Sequence, residues 1–198
     1  YLRSATDERI QREAAGVLAR SDHPRAQTAV RGLIERRDVA ERIRLSAIQS
    51  LASRDLTTEY WRTLYTRVES DDLRRAVIYA VARSNTDEAR LFLLTIARNP
   101  AEPPAVREAA IHRLRQNAPI DELYKLLETA DTRSMRLSIV SGLAARKESE
   151  ATDRLIDIAK TSTDPEVRQS AIRALRQRKD DPKVVKALGE IVTRSFLP

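Results

Sequence analysis

Cysteine is absent from the chain. That excludes disulfides, thiol nucleophiles and thiolate metal sites, and it leaves the redox compartment open. Histidine occurs only at His23 and His112, with no second ligand at metal spacing, so no metal site is expected. The four glycines, Gly16, Gly32, Gly142 and Gly189, stand alone. They cannot form a phosphate-cradling loop, and inside helices they are expected to allow close packing. Aromatics make up only 4% of residues, so the core is expected to be aliphatic. No apolar run approaches the roughly 20 residues that span a bilayer. A soluble protein is expected, cytoplasmic or bacterial periplasmic. Carboxylate pairs such as Asp71/Asp72 and Asp180/Asp181 fall at expected helix starts, where they favour the helix dipole. No catalytic residue and no cofactor is expected, and the chain reads as a non-enzyme.

What the chain has in abundance is charge and repetition. Charged residues make up 33% of it, and the formal net charge is +7. Two readings of that excess stand: an acidic partner or nucleic acid, or arginines used by the fold itself. A nine-residue pattern recurs six times, beginning at Ile10, Ile43, Leu73, Val106, Met135 and Val167. The steps between starts are 33, 30, 33, 29 and 32 residues. A period in this range marks a solenoid of stacked units.

Within each pattern the first, fifth, sixth and ninth positions are apolar, the spacing of one helical face. This is helix A of each unit. Helix B follows after a short turn, with stripes such as Ala26-Val30-Leu33-Ile34 and Ala151-Leu155-Ile158-Ala159. Pro24, Pro103, Pro104, Pro119, Pro165 and Pro182 fall at expected helix starts, where a missing N–H costs nothing. Asp38/Glu41, Asn85/Glu88 and Thr163/Glu166 have capping-box spacing. Helices are expected near 6–20, 24–36, 39–53, 57–70, 71–84, 86–98, 103–116, 119–129, 132–146, 149–161, 164–178 and 181–195. The six units form a single domain over 1–198, with boundaries near 6–36, 38–70, 71–100, 101–130, 131–162 and 163–195. The opening Tyr1-Leu2-Arg3 and the apolar end Ser195-Phe196-Leu197-Pro198 suggest a fragment or processed form of a longer protein.

The last unit reads Asp164-Pro-Glu-Val-Arg-Gln-Ser-Ala-Ile-Arg-Ala-Leu175, followed by Asp181-Pro182. It resembles the HEAT repeat, in the short subtype first described in phycobilisome lyases. The resemblance covers roughly residues 6 to 195. It implies an all-α, right-handed α-solenoid of six two-helix repeats, with A helices convex and B helices lining a concave side. It also implies a non-catalytic binding role. Bacterial alkylpurine DNA glycosylases of the AlkD type share a HEAT-like solenoid. Here Trp61 is the only tryptophan, and no Asp and Arg match that family's site.

Two constellations are singled out. Arg44, Arg74, Arg107, Arg136 and Arg168 each follow the first core residue of helix A. This ladder either tracks phosphates or bonds helix-end carbonyls and turn acids such as Asp22 or Asp55. The same residue in five units favours the structural role. The second is a stripe on the B helices at positions that vary between units: Arg31, Trp61, Tyr65, Arg90, Leu94, Ile120 and Tyr124. These are hot-spot residue types, and the alternative is that they complete the core between units. Tyr79 is expected to be exposed on helix A. The resulting reading is a scaffold that binds another, acidic protein on the concave helix-B face. Sequence-independent nucleic-acid binding through arginines is the alternative.

Overall fold

In a computed structural model the described residues, 8–195, form twelve α-helices and no strand. They are α1 (Glu8–Arg20), α2 (Pro24–Glu35), α3 (Glu41–Leu51), α4 (Thr58–Arg67), α5 (Asp71–Ala82) and α6 (Asp87–Arg98). There follow α7 (Pro104–Leu114), α8 (Ile120–Lys125), α9 (Arg133–Ala144), α10 (Ser149–Thr161), α11 (Pro165–Leu175) and α12 (Pro182–Ser195). Short 3-10 turns extend α8 over Leu126–Thr129 and α11 over Arg176–Arg178. This is the helix-pair order of an α-solenoid. The expected start of the first helix at residue 6, the Tyr1-Leu2-Arg3 opening and the Phe196–Pro198 tail lie outside the described residues.

Packing divides the chain between Ile96 and Ala97 into two compact units. In the first, α1, α3 and α5 pack in series, with α2 against both α1 and α3. In the second, α7, α9 and α11 do the same, with α10 against both α9 and α11. The odd-numbered helices are the A helices and the even-numbered ones the B helices.

The periodic positions of helix A form the core. Ile43, Ala47, Ile48 and Leu51 are buried, as are Leu73, Val77, Ile78 and Val81. In the second unit Val106, Ala110, Ile111 and Leu114 are buried, as are Met135, Ile139, Val140 and Leu143. The first repeat differs. Ile10 is 41% exposed where the other repeats bury their first residue completely or nearly so. Among the described residues no helix pair precedes α1.

The caps differ from the expected boxes. Asp38 is drawn into an ion pair with Arg36, and α3 begins after Ala40 with no side-chain cap. Asn85 takes a left-handed conformation with φ 49°, a shape its short side chain tolerates, and Thr86 accepts from Ala89 N instead. At α11 the cap is Asp164 rather than Thr163, accepting from Glu166 N and Val167 N. Thr57, Ser70 and Thr132 each accept the amide three residues on, as N-caps do.

Close packing explains one glycine. A Cβ on Gly142 would lie 2.7 Å from Arg115 Cβ and 2.9 Å from a Leu123 methyl. Gly32 and Gly189 face open space. Gly142→Ala is therefore expected to lower stability by about 1 kcal/mol or more, as overpacking outweighs helix propensity. Gly189→Ala is expected to raise it by about 0.5–1 kcal/mol. Urea midpoints of the two variants test the opposite signs.

Candidate functional site

The arginine ladder is built into helix ends. Arg44, on α3, is 2% exposed. Its Nε donates to Ile34 O at 2.6 Å, in the last turn of α2. Its terminal nitrogens donate to the two carboxylate oxygens of Glu69 at 2.6 and 2.9 Å, just beyond α4. Arg107, on α7, repeats the arrangement: Nε donates to Ala97 O at 3.1 Å, and the terminal nitrogens to Thr129 O and Asp131. Each guanidinium joins the C-terminal ends of two successive B helices, where orphan carbonyls and the helix dipole both favour a cation. Arg136 donates to Ala130 O at 2.7 Å and also pairs with Asp164, beyond α10, at 3.7 Å, whereas Arg168 reaches only the preceding B-helix end, at Ser162 O (3.2 Å). Arg74 lies over the Tyr65 ring at 5.7 Å.

The acids in these contacts are Glu69, Asp131 and Asp164, not Asp22 or Asp55. Asp22 instead serves a second arginine series that the sequence reading missed. Arg54 donates to Ser21 O at 3.1 Å and to Asp22 at 2.7 Å. Arg146 donates to Ala118 O at 2.9 Å. Arg178 donates to Arg146 O, Ala144 O and Thr152 Oγ1. All three stand three residues after the last core position of helix A, and that spacing was the available signal.

The B-helix stripe is largely interior, which corrects the expected apolar centre. Trp61, Tyr65, Leu94 and Ile120 are buried. Trp61 meets Tyr60 edge-on at 5.3 Å, and Tyr65 meets Phe92 at 5.6 Å. The physical reason is contact on both flanks. A B helix wedged between two A helices buries an arc wider than the roughly 100° of an ordinary amphipathic face. Arg90 turns to Asp87 on its own helix.

Besides the exposed Leu91 on α6 and Val185 and Val192 on α12, the B helices present polar groups. In the first unit the exposed Arg31 lies over the half-buried Tyr60 ring at 4.7 Å. Burial pushes the Tyr60 hydroxyl up, against the opposing pull of Arg31. A shallow cavity of about 180 Å³ between α2 and α4 is lined by both, with Thr63 and the Glu35–Arg67 pair (2.8 Å). In the second unit Tyr124 donates its hydroxyl to Asp157, and Arg154 lies over its ring at 4.8 Å. Burial, then Asp157, pushes the Tyr124 hydroxyl up to about 12, so it remains a donor. Arg154 also donates to Asp121 at 2.9 Å.

Both histidines have local roles or surroundings. His23 Nδ1 accepts from Arg25 N at 3.2 Å and caps α2. His112 is held below its usual range, chiefly by burial and then by Arg115 and Arg113. Among the described residues no group of three His, Asp or Glu side chains could hold a metal ion. No helix among them is long and apolar enough to cross a membrane.

Residues 120–196 match the family model for HEAT repeats. No curated protein matches the chain. The match and the helix-pair architecture together support a HEAT-repeat relationship, and HEAT repeats are generally protein-interaction scaffolds.

Arg107→Ala is expected to cost about 2–6 kcal/mol, because two helix-end carbonyls lose their donor at about 1–3 kcal/mol each. Arg168→Ala, exposed and singly bonded, should stay within about 0.5 kcal/mol of the parent. Denaturant unfolding of the two variants distinguishes them. A pH effect follows from Glu69, whose carboxyl the Arg44 guanidinium holds down to about 2. A depressed carboxyl adds stability above its unfolded value, near 4.5, and that stability is lost as pH falls towards 2. Melting temperature should fall less steeply over this window in Glu69→Gln than in the parent.

Proposed function

We propose that this chain is a non-catalytic scaffold built throughout from short HEAT-like repeats, and that it binds another protein on its B-helix surface. The observation that carries the reading is the Arg31–Tyr60 stack in its cavity, rimmed by Glu35 and Arg67. Tyrosine and arginine are the types that dominate interface energetics. The flanking charges would steer and orient a partner with acidic residues facing Arg31 and Arg67. Trp61, Tyr65 and Leu94 are buried in the same unit. Tyr124 and Arg154 provide a second polar stack on the B helices of the other unit.

The test is affinity capture with parent protein, Tyr60→Ala and Arg31→Glu, identified by mass spectrometry and repeated after nuclease treatment. A protein retained by the parent, lost from both variants and insensitive to nuclease supports the reading. Capture unchanged by both substitutions, or abolished by nuclease, overturns it. Trp61→Ala is not a substitute, since truncating a buried tryptophan costs about 3–5 kcal/mol of stability.

A further inference from the structure

The opposite surface of the first unit carries a groove that the reading above does not use. It runs between α3 and α5 and holds about 490 Å³. Its floor is made of small and aliphatic side chains: Leu45 from α3 and Ala52 just beyond it, Ala76 and Ala80 from α5. Along one wall stand Arg75, Tyr79 and Arg83, each one helical turn from the next. Arg75 is paired with Asp72 at one end of the groove. Tyr79 is 41% exposed. Arg83, at the other end, is exposed and has no carboxylate partner among the described residues.

The aromatic is particular to α5. The corresponding positions are Arg12, Gly16 and Arg20 in the first repeat, Leu45, Gln49 and Ser53 in the second, Glu108, His112 and Gln116 in the fourth, Leu137, Ser141 and Ala145 in the fifth, and Gln169, Arg173 and Gln177 in the sixth. Repeat packing therefore does not demand an aromatic between two arginines. We propose that this groove receives an acidic amphipathic helix from a partner protein. Apolar side chains one turn apart would enter over the alanine floor beside Tyr79, and a carboxylate one turn further along would meet Arg83. The match is one of period as well as charge. Side chains four apart on a helix lie about 5–6 Å apart, and Tyr79 and the C-cap Arg83 are four apart in sequence. A helix laid in a groove reads such anchors at i and i+4.

The probe is a fluorescein-labelled designed helix of about 15 residues, long enough to be marginally helical alone. It carries leucines at i and i+4 and glutamates beside them; its counterpart has lysines in place of the glutamates. Anisotropy titrations should show binding of the glutamate peptide only. Tyr79→Ala and Arg83→Glu should each weaken it about tenfold, the effect of a hot-spot contact. Tyr79→Phe and Arg83→Lys should retain it. Arg31→Glu, on the B-helix surface, should leave it unchanged, which separates this proposal from the preceding one. Unchanged melting curves establish that the variants fold. Equal binding of the two peptides, survival of binding in both disruptive variants, or no binding at the peptide's solubility limit would overturn the proposal.

Discussion

The structure depends on guanidinium groups placed where helices end. A helix C-terminus leaves four carbonyls without intrahelical partners and gathers about half a negative charge. A stack of short helix pairs multiplies such ends. Arg107 satisfies carbonyls at two B-helix ends at once, and Arg44 joins one such carbonyl to the Glu69 carboxylate beyond the next, both using the fixed fork of the side chain. Arg54, Arg146 and Arg178 do similar work at the ends of A helices. Lysine could not substitute, because one ammonium cannot reach acceptors on two helices in a fixed geometry.

A consequence for charge follows. Backbone carbonyls carry no formal charge, so arginines spent on them leave a surplus. The net charge of +7 thus arises at least partly inside the architecture. Many other cations remain outward, and two of them, Arg31 and Arg83, line hollows between helices. Local arrangement, more than total charge, decides what each surface recognises.

Much of the fold was legible because helix pairs repeat. The first, fifth, sixth and ninth positions announced the core, and prolines marked the starts of α2, α7, α8, α11 and α12 to within a residue. Capping was less legible. Asp38 has the right spacing for a cap, yet Arg36 sits two residues away and takes the carboxylate. Local competition of that kind has no periodic signature. The stripe containing Trp61 and Tyr65 misled for a different reason. Variation between repeats was read as freedom from packing, but large side chains there fill space between helices. How far a buried arc extends around a helix depends on how many neighbours touch it, and one helix's sequence does not state that number. Tyr79 was placed correctly on the surface, while the hollow beside it required the neighbouring helix to be seen.

The ladder is uneven, and this bears on how the molecule opens. Arg44 and Arg107 are nearly sealed from solvent, whereas Arg168 is exposed and holds a single carbonyl. In a linear array each pair is held by its immediate neighbours, so local opening follows the weakest coupling. The α11–α12 pair ends in the exposed Val185 and Val192, and α1 leaves Ile10 and Val17 uncovered. Amide protons should therefore exchange earliest in these outer helices. Protection should be longest beside the two sealed guanidinium groups, giving each compact unit a slow-exchanging centre of its own.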